Sequence, residues 1–233
     1  MALRSHTVTK NFRLVVYFPV KFHAKDSFTM IAIVNYGVGN LFSLESSFNA
    51  IGREVTITSS PDDLRNSERI ILPGVSAFGD AAGKLFASGL ADVIISEAHK
   101  GKPLLGICLG MQLLFTKSWE FGEFDGLSLI PGNVKPIREV VVGNLKIPQM
   151  GWNSLDFTNP SPIYSRTPEN SYVYFVHSYA AFCDGKYITA TTDYGAPLTA
   201  SVQNGNIYGV QYHPEKSGNV GLDILRSFCE VKS

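Results

Sequence analysis

Residues Lys102 to Phe115 constrain the chain more than any other segment. An apolar strand pattern runs directly into Gly106-Ile107-Cys108-Leu109-Gly110 and then into the helix-compatible Met111-Gln112-Leu113-Leu114-Phe115. Glycines two before and two after the cysteine permit a tight strand-to-helix turn that a side chain at either position would obstruct. Such a turn belongs in an α/β chain, with Cys108 projecting at its apex. The free N–H groups and positive dipole end of the following helix then favour the thiolate, the nucleophilic form of the side chain. The backbone N–H of Leu109 is placed to stabilise an oxyanion. Taken alone, Gly-x-Cys-x-Gly is equally compatible with a buried core cysteine beside a glycine-rich turn.

The surrounding pattern supports the α/β reading. From Met30 onward, short apolar runs alternate with helical patterns, the signature of a mostly parallel sheet flanked by helices. Strands are expected at Ile31 to Asn35, Glu54 to Thr58, Arg69 to Leu72 and Leu104 to Ile107. Leu41, Leu44, Phe48 and Ile51 recur at helical spacing behind Asn40, a candidate cap, and further helical stretches are expected near 80 to 99 and 109 to 117. After about residue 125 the texture changes to turn-punctuated strands, at 146 to 148, 172 to 176, 187 to 192, 198 to 203 and 207 to 212. Several of these are expected to pair antiparallel. Gly221 to Cys229 closes the chain as a helix with Leu222, Leu225 and Cys229 on one face.

A cysteine nucleophile needs a base, and Gly209-Val210-Gln211-Tyr212-His213-Pro214-Glu215-Lys216-Ser217 supplies one at the end of an apolar strand. Pro214 restricts His213 to extended geometry. Residues two apart on an extended chain face the same side, so Glu215 is expected to orient the His213 ring while the ring faces the thiol. A lone His-Pro-Glu is more often a surface turn, but combined with the elbow it completes a Cys-His-Glu triad. Pro73-Gly74-Val75-Ser76-Ala77-Phe78-Gly79, just after an expected strand, is placed to bring a second backbone N–H to the same site. Its plainer meaning is an ordinary βα loop.

The segments IAIVNYGVGNL (31–41), PGVSAFG (73–79), GICLGMQLLF (106–115), KIPQMGWN (146–153), YFVHSY (174–179) and GVQYHPEKS (209–217) together resemble the class I glutamine amidotransferases. Among them, the likeness is to the glutaminase subunits of imidazole glycerol phosphate synthase. It runs from Met30 nearly to the C-terminus. It implies the amidotransferase fold, a mostly parallel central sheet flanked by helices with added antiparallel strands in the C-terminal half. It also implies that Cys108 attacks the side-chain amide of glutamine, that His213 shuttles protons and that Glu215 orients it. By the same resemblance Val75 and Leu109 form the oxyanion site, and Gly74, Gln112, His177, Ser178 and Tyr179 hold glutamine. Asn40, Gln149, Trp152 and Lys216 face a (βα)₈-barrel cyclase partner that receives the ammonia in histidine biosynthesis. No cofactor or metal is implied. Two departures stand out: Ser76 occupies a position that is glycine in the family pattern, restricting the backbone there, and Gln149 replaces a histidine, removing a titratable group while keeping hydrogen-bonding capacity.

Composition bounds the remaining readings. With 233 residues, 45% of them apolar, the chain can bury a full core. Twenty basic and twenty acidic residues balance to a formal charge of zero, so no long-range field points to nucleic acid or an anionic membrane. No apolar run reaches the ~18 residues of a membrane-spanning helix. Three cysteines without metal-ligand spacing fit a reducing cytoplasm. Residues 1–29 lie outside the resemblance; Arg4, Lys10, Arg13, Lys21 and Lys25 face a single acid, Asp26. They are expected to be an addition to a domain spanning 30–233, most simply from a start codon placed too far upstream, with a transit peptide or an extra edge strand as alternatives. Trp119 is expected in the core and His99 on a helix surface. Cys183 and Cys229 carry no motif. Other class I synthases, a binding module that has lost catalysis, and a cysteine peptidase remain as alternative readings of the triad.

Overall fold

The computed structural model describes residues 30–232; the expected N-terminal addition, 1–29, lies outside the described residues. An eight-stranded sheet forms the centre. In spatial order it holds Val55–Thr58, Ile31–Val34, Arg69–Leu72, Leu104–Ile107, Ile207–Val210, Pro197–Asn204, Ile188–Asp193 and Asp156–Phe157. The first five are mutually parallel and the last three join antiparallel at one edge. Two smaller sheets flank it: Tyr172–His177 with Gln149–Ser154, and a four-stranded sheet in the order Tyr179–Phe182, Ile130–Pro136, Phe115–Ser118, Phe124–Asp125.

The apolar runs are continuous because both faces of the central sheet are covered. Along the first strand, Ala32 and Val34 enter one core cluster and Ile31 and Ile33 the other. The first cluster takes Leu64 of Pro61–Asn66, Phe78, Ala81 and Leu85 of Phe78–Ala87, and Ile94 of Leu90–His99. The second takes Leu44 and Phe48 of Leu41–Ala50 with Ile224, Leu225 and Phe228 of Gly218–Glu230.

Several local expectations change. The helical stretch near 80 to 99 is two helices, because Gly89 takes φ +72° between them. The stretch at 109 to 117 is a five-residue helix, Leu109–Leu113, after which Phe115–Ser118 leaves as a strand. That strand pairs with Ile130–Pro136, which the local pattern did not announce. Lys146 to Pro148 is not a strand; pairing begins at Gln149, where the chain meets Tyr172–His177. Asn40 does hold the N-cap position, yet its side chain makes no capping hydrogen bond.

The topology fixes where function must lie. Three neighbouring parallel strands end side by side, at Leu72, Ile107 and Val210. The chain continues from them into Pro73-Gly74, Cys108 and Gln211 to His213, so three distant segments converge at one edge of the sheet, where open α/β folds form their crevices.

Candidate active site

Cys108 sits at the sharp turn with φ +54° and ψ −111°, an unusual backbone conformation for a residue with a side chain. Its own N–H donates to the Val210 carbonyl at 2.8 Å, holding the elbow against the neighbouring strand. The flanking glycines are there because the turn is closed. A Cβ on Gly106 would lie 2.6 Å from the Gly110 carbonyl oxygen, and one on Gly110 would lie 1.8 Å from the Leu72 carbonyl oxygen. Gly74 is packed against the same turn, where a Cβ would meet Leu109 Cβ at 2.8 Å. The Tyr36 hydroxyl donates to the Pro73 carbonyl at 2.7 Å and pins that segment beside the elbow.

His213 follows the strand Ile207–Val210, and its N–H donates to the Tyr174 carbonyl at 2.9 Å. Its Nδ1 is 2.8 Å from Glu215 Oε1, with both side chains almost fully buried. The expected pairing is present, but its geometric origin differs: His213 is extended, whereas Pro214–Lys216 is a 3₁₀ turn that curls Glu215 back under the ring. His213 Nε2 makes no hydrogen bond among the described residues and shares the cavity with the Cys108 sulfur. Burial by itself disfavours the charged ring. The sulfur and the Glu215 carboxylate outweigh it, and the His213 pKa rises from 6.5 to about 10. Thiol and imidazole are not closed into a hydrogen bond here, a common state of catalytic pairs before substrate arrives.

A cavity of about 330 Å³ opens over the sulfur, lined by Val75, Ser76, Cys108, Leu109, Gln112, Glu120, Pro148, Val176, His177, Ser178, Tyr179 and His213. Val75 is partly exposed at its mouth. Leu109 is the first residue of the short helix, so its N–H belongs to the set that has no partner within the helix. Burial pushes His177 down from 6.5 to about 4, and the charged His213 nearby adds to this. His177 is therefore neutral, and its Nδ1 donates to the Tyr179 carbonyl at 2.8 Å. Gln112 Nε2 donates to the same carbonyl at 2.9 Å. The structure thus gathers Val75, Cys108, Leu109, Gln112, His177, Ser178, Tyr179 and His213 around one cleft, with Gly74 packed against the elbow and Glu215 against the His213 ring.

The four residues expected at a partner surface divide. Met150 and Trp152, two apart on one strand, face outward, and Trp152 is 52% exposed. Lys216 Nζ lies 5.8 Å from the centroid of the Tyr174 ring, which in turn packs edge-on against Trp152 at 6.0 Å. Asn40 is half-buried at its helix start. Gln149 is fully buried opposite His177 and donates to Asn153 Oδ1 at 3.0 Å. It occupies the inner face of its strand, not the outer one.

Three residues at the site carried no signal of their own. Glu120 lines the cavity and accepts from the Phe78 N–H at 2.7 Å, and burial raises its pKa against that hydrogen bond. Tyr36 and Gln211 lay inside quoted motifs without an assigned role. Trp119, expected in the core, is 40% exposed under the Lys135 ammonium. Among the described residues no helix is long and apolar enough to cross a membrane.

The arrangement can supply a nucleophile, a base oriented by a carboxylate, the free N–H of Leu109 and a cleft of mixed polar and apolar lining sized for a small molecule. Comparison with known proteins shows the family. Residues 32–231 match the family model described as Glutamine amidotransferase class-I. The chain is 44% identical over 203 residues to the "Imidazole glycerol phosphate synthase subunit HisH" of Oceanobacillus iheyensis, covering 87% of this chain and 99% of that one. It is 46% identical over 202 residues to the protein of the same name from Methanothermobacter thermautotrophicus, covering 87% and 98%. Among solved structures, a glutamine amidotransferase superposes with a TM-score of 0.67 at 16% identity, covering 85% of this chain and 97% of that one. PurLQS from Thermotoga maritima superposes with a TM-score of 0.66 at 22% identity, covering 86% and 97%. The fold, the elbow and these similarities lead to one assignment: the chain belongs to the class I glutamine amidotransferase family and, within it, to the HisH subunits of imidazole glycerol phosphate synthase.

Proposed function

We propose that the cleft over Cys108 hydrolyses glutamine and that the ammonia passes to the cyclase subunit of imidazole glycerol phosphate synthase, in the cytoplasm. The observation that carries the reading is a cysteine at a strained elbow beside a histidine held by a buried glutamate. The Cys108 proton already rests on His213 Nε2 in the charged ring, and the Cys108 thiolate attacks the side-chain carbonyl carbon of glutamine. The N–H groups of Leu109 and Val75 stabilise the oxyanion. Collapse of the tetrahedral adduct breaks the C–N bond; the nitrogen takes the proton from His213 and leaves as ammonia, and a γ-glutamyl thioester remains. Water then attacks the thioester while His213 takes its proton; collapse of this second adduct expels the Cys108 thiolate beside the charged ring, and glutamate leaves, its carboxyl proton passing to solvent.

The mixed lining supports glutamine as the occupant. Glu120 supplies an anionic wall for the α-ammonium group, while Gln112, Ser178 and the backbone around Tyr179 supply hydrogen-bonding groups for the rest of the substrate. The outward Trp152, Met150 and Lys216 form the surface offered to a barrel-shaped partner, with aromatic and cationic character typical of interface anchors.

The test is glutamate release from glutamine by wild type and Cys108→Ala, each alone, with the cyclase, and with the cyclase plus its ribonucleotide ligand. Release that depends on the cysteine and increases with the partner is the expected result. Retained hydrolysis in Cys108→Ala would remove the proposed nucleophile; coupling only to a different synthase would remove the proposed partner.

A further inference from the structure

We propose that Gln211 is a further catalytic residue, its side-chain amide donating a hydrogen bond to the Cys108 sulfur and stabilising the thiolate; this rests on Cys108 being the nucleophile. Gln211 Nε2 lies 3.8 Å from Cys108 Sγ, and the residue is fully buried. It precedes His213 by two positions beyond the strand Ile207–Val210. The intervening Tyr212 is fully buried in a core cluster, while Gln211 reaches the sulfur and His213 lines the cavity beside it.

The orientation of the amide follows from its neighbours. The Tyr179 carbonyl can only accept hydrogen bonds, so the NH₂ group of Gln112, 2.9 Å away, must face it. The same NH₂ group has a second hydrogen, and Gln211 Oε1 accepts it at 3.0 Å. With its oxygen committed to Gln112, Gln211 presents its own NH₂ to the sulfur. Turning the amide over would place two NH₂ groups against each other and an oxygen against the thiolate, losing two interactions at once. A backbone carbonyl in the substrate-binding segment thereby sets, through Gln112, which end of Gln211 meets the nucleophile.

The chemical consequence concerns the charged form. When the Cys108 S–H bond breaks and its proton forms an N–H bond at His213 Nε2, the electron pair left on sulfur becomes a far better hydrogen-bond acceptor than the thiol. A donor fixed at that atom favours the anion. The titratable groups around the sulfur are His213 with Glu215 behind it, Tyr36 across the elbow, and His177 and Glu120 along the cleft. Gln211 does not titrate, so it acts on the sulfur at every pH.

The experiment follows alkylation of Cys108 by iodoacetamide in the full chain as a function of pH. Peptide mass spectrometry separates Cys108 from Cys183 and Cys229. Gln211→Glu keeps an oxygen for Gln112 and loses the donor; Gln211→Met keeps the length and loses the polarity. Both are expected to move the alkylation midpoint upward by about one pH unit and to lower kcat for glutamine by roughly tenfold, with little change in KM. A midpoint and kcat unchanged in Gln211→Met, at wild-type melting temperature, would overturn the proposal. So would a shift confined to Gln211→Glu, which is the effect of added charge alone. If Gln211→Met fails to fold, Gln211→Asn supplies the neutral comparison: its shorter amide withdraws the donor from the sulfur, with the same shift expected and its absence equally decisive. Failure of Cys108 in the wild type to react with an electrophilic glutamine analogue is a separate result, which would reject the nucleophile itself.

Discussion

His213 Nδ1 stands 2.8 Å from Glu215 Oε1, with 2% of each side chain exposed. A pair this buried influences both the reaction and the stability of the fold. The His213 pKa is raised from 6.5 to about 10, so across that window the folded protein holds a proton that the unfolded chain has released. The resulting stabilisation is fully present below about pH 6.5 and disappears as pH rises through about 10. In Glu215→Gln the ring loses one of the two partners that raise its pKa and keeps the Cys108 sulfur, and the alkaline decline in the urea midpoint is expected to be shallower than in wild type. Glutamine hydrolysis is expected to fall by about 10²- to 10⁴-fold. An unchanged alkaline slope would show that the ring is not held charged by this carboxylate.

His177 predicts the opposite limb. Burial lowers its pKa from 6.5 to about 4, so between those values the unfolded chain binds a proton that the folded state excludes. Stability conferred by the neutral ring is present above about pH 6.5 and is lost as pH falls toward 4. Urea midpoints of wild type and His177→Gln, measured from neutral pH downward, are expected to converge as the acid is increased, because the variant lacks this proton. Parallel acid limbs would mean that His177 is not the group responsible.

The division between what the sequence revealed and what it concealed follows physical lines. Arg69–Leu72 and Leu104–Ile107 were legible to the residue because strands buried on both faces carry short runs without polar alternation, Ile70 to Leu72 and Leu104 to Ile107. Cys108, His213 and Glu215 were legible because each sits in a short motif whose backbone demands are local. Phe115–Ser118 was hidden inside a helical pattern, since its strand pairing with residues 130–136 is decided by tertiary contact. Glu120 was hidden for a similar reason: its relation to Phe78 spans 42 positions and leaves no periodic trace. Gln149 was expected at a partner surface from the resemblance alone, and a resemblance carries no burial; in the isolated chain its side chain is fully covered.

The elbow predicts a sharp contrast between two glycines. An alanine Cβ at Gly110 would be 1.8 Å from the Leu72 carbonyl oxygen, so the turn must open or the neighbouring strand must move. Gly110→Ala is expected to destabilise the protein by about 3 kcal/mol or more and to abolish alkylation selectivity at Cys108. Gly83 lies on the exposed side of Phe78–Ala87 with nothing within 4 Å of a built Cβ. Gly83→Ala is expected to stabilise by about 0.5–1 kcal/mol, through helix propensity and a less flexible unfolded chain. Denaturant unfolding of the two variants checks both signs, and a mild effect at Gly110 would refute the closed packing assigned to the turn.

Trp152 tests the proposed partner surface separately from the chemistry. Its ring is half exposed, lies 6.0 Å from Tyr174 and shares that neighbour with the Lys216 ammonium. Removing an exposed ring costs the isolated chain little, and Trp152→Ala is expected to change its stability by less than about 1 kcal/mol. If the ring anchors the cyclase, the same substitution weakens the complex by about 2 kcal/mol or more, roughly 30-fold in Kd. Calorimetric titration with the cyclase reads the affinity, and alkylation of Cys108 in the free chain reports whether the site is intact. Loss of affinity with wild-type alkylation locates the interface on this face. Wild-type affinity would move it elsewhere and leave the exposed Trp152 and Met150 without a partner.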